Sequence, residues 1–238
     1  MVRTGTLYLI PVPLGAAPVA ASLPPEVCAR IRALEHFIVE DPKRARAHLK
    51  AIGLSRPLQS IRMQTLNEHT PPQAVPGLLE PLRSGHDTGL LSDAGCPAVA
   101  DPGATLVAAA HRFGIRVVPL VGPSSILLAL MASGLDGQRF AFRGYLPAES
   151  RERVSMLQTL EQESALRRET QVFIETPYRN ARLLDDLLAH GRPDTRLCIA
   201  SQLTLPDEQI RTATLAEWRA QPTALPREPA VFLLLAAT

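Results

Sequence analysis

The chain has 238 residues with a formal charge of +2, 46% hydrophobic and 4% aromatic content. That is enough apolar material for one large domain or two small ones, and too little positive charge for a nucleic-acid coating protein. So few rings also argue against a platform that stacks single-stranded bases. In chain order, strands are expected over 6–12, 37–40, 57–61, 88–91 and 115–119, with helices near 24–34, 43–51, 73–83 and 104–111 between them. This alternation predicts a mostly parallel sheet covered on both faces. Gly122-Pro123 then breaks the chain ahead of an apolar helix over 124–132, opened by serines. A strand over 139–142, a helix over 151–163 and further segments over 171–175, 180–189, 196–200, 208–212 and 230–236 follow. The second half is richer in extended segments and predicts a mixed sheet. The fold class is therefore α/β, with an N-terminal domain over 1–120 and a C-terminal domain over 121–238, joined without a flexible linker.

Cys28, Cys96 and Cys198 are scattered. They supply neither a disulfide framework nor a zinc spacing, so a reducing cytoplasmic setting and no metal are expected. No apolar run is long enough to span a bilayer, and 1–13 is a strand-like segment broken by prolines, not a cleavable signal, so no membrane partner is expected. The chain has no Gly-x-Gly-x-x-Gly after its first strand, no phosphate-binding Walker loop, no His-Glu-x-x-His helix and no Gly-x-Ser-x-Gly elbow. His36, His48, His69, His86, His111 and His190 show no ligand spacing and read mostly as helix-end or surface residues.

One loop stands out. The apolar strand over 88–91 runs into Ser92-Asp93-Ala94-Gly95-Cys96-Pro97-Ala98-Val99-Ala100-Asp101-Pro102-Gly103. Open α/β sheets place ligands beyond the carboxyl ends of their strands, and glycines there let backbone approach a ligand closely. Asp-Pro-Gly is also ordinary turn and capping chemistry, so Asp101 stands open between capping the next helix and touching a ligand. Cys96 has no evident histidine partner and reads as a small packing residue. Two basic groups are candidate phosphate sites or plain solvated faces: Lys43, Arg44, Arg46 and Lys50 on one helix, and Arg139, Arg143, Arg151 and Arg153 further on.

The loop, with its Ser-Asp-Ala-Gly-x-Pro and Asp-Pro-Gly, resembles the signature of the tetrapyrrole methylase superfamily, in the branch that methylates small-subunit ribosomal RNA. Four further pieces match in order. Leu7-Tyr8-Leu9-Ile10-Pro11-Val12-Pro13-Leu14-Gly15 is similar to that branch's first strand and turn, and Glu40-Asp41 to the start of its Glu-Asp-Thr-Arg motif. Val118-Pro119-Leu120-Val121-Gly122-Pro123-Ser124-Ser125 is similar to its Pro-Gly-Pro-Ser junction, and Phe173-Ile174-Glu175-Thr176-Pro177-Tyr178-Arg179 to its Tyr-Glu-Ser-Pro-His-Arg. The resemblance implies two αβα domains of the tetrapyrrole methylase fold, a homodimer, and S-adenosylmethionine as methyl donor, released as S-adenosylhomocysteine from a cleft between the domains. It also implies that Leu14, Ser92, Asp93, Gly95 and Cys96 line the donor site, that Ser125 and Ile126 contact the donor, and that Glu175, Leu203 and Ala230 close the site.

Methyl transfer from a sulfonium is an in-line displacement that needs donor and acceptor held close, aligned and dry, and few catalytic side chains. The acceptor implied by the resemblance is a nucleotide of ribosomal RNA in the small subunit, with a ribose 2′-hydroxyl one option. Leu66-Asn67-Glu68-His69-Thr70 resembles that branch's Leu-His-Asp-His-Asn, which makes Glu68 and His69 the candidate catalytic residues for deprotonating such a hydroxyl. The chain departs from the branch at Asn67 and at Pro42-Lys43. Two alternatives stay open: a tetrapyrrole C-methyltransferase of the same fold, and a noncatalytic module that binds the donor or RNA.

Overall fold

The computed structural model describes residues 4–54, 56–57, 60–221, 224–225 and 227–237. It divides into two compact units, Met1–Ser124 and Ser125–Thr238. The first contains β1 (Thr6–Ile10), α1 (Pro25–Ala33), β2 (His36–Val39), α2 (Pro42–Ala51), β3 (Arg62–Thr65), the single-turn helices α3 (Val75–Leu78) and α4 (Glu80–Arg83), β4 (Thr88–Leu91), α5 (Gly103–Arg112) and β5 (Arg116–Pro119). Its five strands lie in the order β3-β2-β4-β1-β5 and every pairing is parallel.

Sequence explains the order. His36–Val39 and Thr88–Leu91 are buried at every position, as interior strands of a sheet covered on both faces must be. Arg62–Thr65 and Arg116–Pro119 begin and end on exposed residues and take the edges. Alternate side chains feed two cores. Tyr8, Ile10, Phe37, Val39 and Leu91 pack with Val27 and Ile31 of α1 and Leu49 of α2. Leu7, Ile38 and Leu90 pack on the other face with Val75, Leu82, Leu106 and Ala109 from α3, α4 and α5. A Cβ on Gly89 would collide with the Ile10 and Phe37 side chains, so the central strand needs glycine there.

The second unit contains α6 (Ser125–Ser133), β6 (Phe140–Tyr145), α7 (Ser150–Arg167), β7 (Thr170–Glu175), α8 (Asn180–His190), β8 (Arg196–Ser201), β9 (Gln209–Thr214), α9 (Leu215–Ala220) and β10 (Ala230–Leu235). The strand order is β6-β7-β10-β8-β9, parallel only between β6 and β7, so this sheet is mixed. Leu157, Leu183, Leu187 and Trp218 from α7, α8 and α9 cover Phe173, Leu197 and Phe232 on one face, and α6 packs against β8, β9 and β10. Among the described residues no helix is long and apolar enough to cross a membrane.

Three expectations shift. The strand expected over 57–61 is instead Arg62–Thr65, because Ser60 donates through both its N–H and its hydroxyl to the Pro57 carbonyl and turns the chain first; residues 58 and 59 lie outside the described residues. The helix expected over 73–83 is split into a 3-10 turn, α3 and α4, since Pro76 and Pro81 have no N–H to continue it. Helix α9 was not anticipated. Its signal is a capping box in which Thr214 and Glu217 each accept a bond from the other's backbone N–H.

Candidate functional site

In the first unit, β4 sends its chain into α5 on one face, while its neighbours β1 and β2 feed α1 and α2 on the other. The loops therefore part on both sides of the β4 carboxyl end, which is where such sheets form a ligand crevice. The β1 and β4 loops meet at its mouth. Val12 N–H donates to the Gly95 carbonyl at 2.8 Å and Gly95 N–H returns the bond at 2.9 Å. Gly95 has φ of 72°, and its missing Cβ would point toward the Leu14 side chain, 3.5 Å away. A Cβ on Gly122 would collide with Pro11 and crowd Leu23, so that glycine lets the Gly-Pro-Ser-Ser segment close on the β1 loop. Cys96 donates to the Pro123 carbonyl at 3.4 Å, and burial pushes its thiol pKa up, consistent with packing and contrary to a nucleophile.

Asp101 resolves into a loop brace. Its carboxylate accepts from Ala98 N–H at 2.9 Å and from Gly103 N–H at 2.6 Å, and the Ser92 hydroxyl also bonds to it. Pro102, not Asp101, occupies the N-cap position of α5. Ala98, at one of those bonds, and Ala100, between the two, lie in the left-handed region at φ of 67° and 60°. Glu40, at the end of β2, accepts from Asp93 N–H at 3.2 Å. Burial, followed by repulsion from Asp93 and Asp101, raises the Glu40 pKa. Glu40, Ser92 and Asp101 line one small cavity with Leu66, Leu90 and Gly103. Asp93 also receives an ion pair from Arg44 of α2 at 2.8 Å.

The structure thus brings Leu14, Ser92, Asp93, Gly95 and Cys96 together on two touching loops. The turn with Glu68 and His69 follows β3, and its Leu66 lines the same cavity. Asn67 shapes that turn by accepting from His69 N–H at 3.0 Å and from the Thr70 hydroxyl at 3.3 Å. Glu68 and His69 lie 3.6 Å apart with side chains more than four-fifths exposed.

In the second unit, Ala230 of β10 pairs with Glu175 on one side and Ser201 on the other, so the ends of β7 and β8 flank the start of β10. Glu175, Leu203 and Ala230 are buried at this edge, while Ser125 and Ile126 open α6. Sequence reasoning missed Asn180 and Thr204 here and named Arg179 only as the end of a motif. Of the five buried side-chain polar atoms without a hydrogen-bond partner among the described residues, four are at this edge: Glu175 Oε2, Arg179 Nε, Asn180 Oδ1 and Thr204 Oγ1. Glu175 Oε2 is 2.8 Å from Arg179 Nη2 as an ion pair, without the alignment of a hydrogen bond. Gln202 and Thr204 also have positive φ, 53° and 71°. Buried polar atoms without hydrogen-bond partners, beside strained backbone at one edge, are the marks of a polar ligand site, and both donors and acceptors are among them.

The basic groups divide. Lys43, Arg44 and Arg46 stand exposed on α2 while Ala45, His48 and Leu49 are buried. Arg143 and Arg153 are not a free basic surface: Arg143 is engaged by Gln171 and Glu163, and Arg153, 4% exposed, by Asp186 at 2.6 Å. One histidine departs from the helix-end or surface expectation: His36 of β2 is buried against His86, with ring centroids 4.7 Å apart. His48 lies in the last turn of α2, where burial lowers its pKa to about 4. Among the described residues no three His, Cys, Asp or Glu side chains are placed to hold a metal ion.

Known proteins share this architecture. The profile of the Tetrapyrrole (Corrin/Porphyrin) Methylases matches residues 6–218. The ribosomal RNA small subunit methyltransferase I of Mesorhizobium japonicum is 35% identical over 209 residues, 88% of this chain and 67% of that protein. The protein of the same name from Xylella fastidiosa is 34% identical over 93% of this chain and 77% of its own. Among solved structures, the methyltransferase CobJ superposes with a TM-score of 0.64 at 17% identity, covering 98% of this chain and 95% of its own. A Thermus thermophilus uroporphyrin-III C-methyltransferase complexed with S-adenosylhomocysteine gives 0.57 at 18% identity, covering 97% of each chain. The matched profile and the identity to these relatives define a methyltransferase that uses S-adenosylmethionine. The chain belongs to the tetrapyrrole methylase family, on the side of its ribosomal RNA methyltransferase relatives.

Proposed function

We propose that the chain transfers the methyl group of S-adenosylmethionine to a nucleotide of small-subunit ribosomal RNA. The observation that carries this reading is the level of identity. The ribosomal RNA methyltransferases are 34–35% identical over about nine-tenths of the chain, whereas the tetrapyrrole enzyme structures share 17–18% and speak to the fold alone. The donor is held by Leu14, Ser92, Asp93, Gly95 and Cys96 in the first unit and by Ser125, Ile126, Glu175, Leu203 and Ala230 in the second. The unpaired polar atoms of Asn180 and Thr204 support a polar ligand beside the latter set. Asp93 supplies the carboxylate for a cationic donor, and the braced loop keeps the Gly95 turn in place.

In the transfer, the acceptor attacks the methyl carbon opposite sulfur, the S–C bond breaks and S-adenosylhomocysteine departs. For a ribose 2′-hydroxyl the acceptor proton passes to His69 or Glu68, which stand exposed beside the cavity and become dry only under bound RNA. The protein works as a cytoplasmic homodimer and needs no metal. Incubating it with methyl-labelled donor and either 30S subunits from a strain lacking the gene or a precorrin-type tetrapyrrole tests the reading. Label is expected in the RNA alone. Label in the tetrapyrrole would replace this function with the other, and donor binding without transfer to either would leave a noncatalytic module.

A further inference from the structure

Asp93 enters the proposed function toward the donor, while Arg44 belongs to the exposed basic group of α2 that is a candidate site for phosphate. In the structure they hold each other, Nη1 to Oδ2 at 2.8 Å, with the Arg44 side chain 66% and the Asp93 side chain 30% exposed. The pair joins α2 to the loop after β4, and its surroundings make it exchangeable. The Arg44 backbone is fixed, because its N–H is capped by Asp41 and α2 is anchored through buried Ala45 and Leu49, so only the guanidinium is free to swing. Among the described residues Asp93 is the one carboxylate within ion-pair reach of it. Asp93 in turn sits against Glu40, which accepts its N–H, so a second carboxylate lies beside the pair. A donor arriving with sulfonium and ammonium charges supplies the positive charge that Asp93 otherwise takes from Arg44. An exposed pair is weak enough to be exchanged, and a guanidinium so released matches a phosphate with two parallel N–H bonds.

We infer that Arg44 is a counter-ion switch: it neutralises Asp93 in the free protein and turns to acceptor phosphate when a cationic donor reaches Asp93, so that donor and RNA strengthen each other's binding. The inference rests on the donor and acceptor proposed above. Linkage requires the effect to be reciprocal, and a pair this exposed supports a coupling of roughly twofold to fivefold.

Filter binding of 30S subunits at fixed salt, with and without saturating sinefungin, an unreactive donor analogue with a cationic centre, reads the coupling. The parent is expected to bind 30S subunits tighter with sinefungin by that factor. Arg44→Met should bind them weakly in both conditions with the difference gone, while its sinefungin affinity, read by calorimetry, is no lower than the parent's. Asp93→Asn, which frees Arg44, should bind 30S subunits without donor as tightly as the parent does with sinefungin. A parent unmoved by sinefungin that it binds, or an Arg44→Met variant that keeps the full gain, overturns the switch and leaves the methyltransferase reading standing. A parent that binds neither sinefungin nor 30S subunits removes both.

Discussion

At the residue scale, the loop proposed to hold the donor is a small strained structure braced by one carboxylate. Left-handed alanines cost about 1 kcal/mol each, and the bonds from Ala98, Gly103 and Ser92 to Asp101 offset that cost. Gly95 relieves the strain at the point where the β1 loop bonds to it. Gly95→Val should therefore weaken donor binding tenfold or more, on the order of 1–2 kcal/mol for a β-branched residue at positive φ, with the rest of the fold intact. Calorimetry with S-adenosylhomocysteine, alongside a melting curve, checks both halves. Glu40 is different, because its carboxyl is disfavoured when charged. Its pKa is raised in the fold, so its contribution to stability is full below the ordinary value of 4.5 and is lost as pH rises through the raised value. Glu40→Gln keeps an acceptor for Asp93 N–H and should raise the melting temperature by about 1–2 °C at pH 7, with no gain near pH 4. Equal gains at both pH values would contradict burial and repulsion as the cause. Sequence motifs named this loop correctly as a cluster on a strand end, but the role of Asp101 was not legible, because Asp-Pro-Gly has the same letters whether it caps a helix or braces the residues before it.

At the scale of elements, strongly apolar strands announce themselves and edges do not. Thr88–Leu91 has the same bounds in sequence and structure, since a run buried on both faces has no competing reading. The edge strand Arg62–Thr65 has no apolar pattern to find, being defined by its pairing with β2. Pro76 and Pro81 each sit in the first turn of a short helix, so a proline in the sequence marks a new start there and not the end of all helix. Gly89 gives this scale its prediction. Its missing side chain makes room for Ile10 and Phe37 in the centre of the sheet, so Gly89→Val should cost about 2–3 kcal/mol by overpacking. Chemical denaturation would show it as an earlier transition, and an unchanged midpoint would mean the core yields more readily than the geometry allows.

For the whole molecule, several large apolar side chains stay exposed. Leu127 and Met131, one turn apart on α6, are 52% and 80% exposed, and Val121 is 71% exposed. Apolar surface of this kind is the usual material of a two-fold interface. A dimer mass in light scattering at micromolar concentration is expected, and replacing Leu127 and Met131 with Glu should shift it toward the monomer. A monomer mass for the parent would leave those side chains unexplained by self-association. The central claim is methylation of small-subunit ribosomal RNA, and mass spectrometry of nucleosides tests it most directly. Small-subunit RNA from a strain lacking the gene should be missing a methylated nucleoside that the parent chain restores on re-expression and Asp93→Ala does not. An unchanged nucleoside profile between the deletion and parent strains would contradict it.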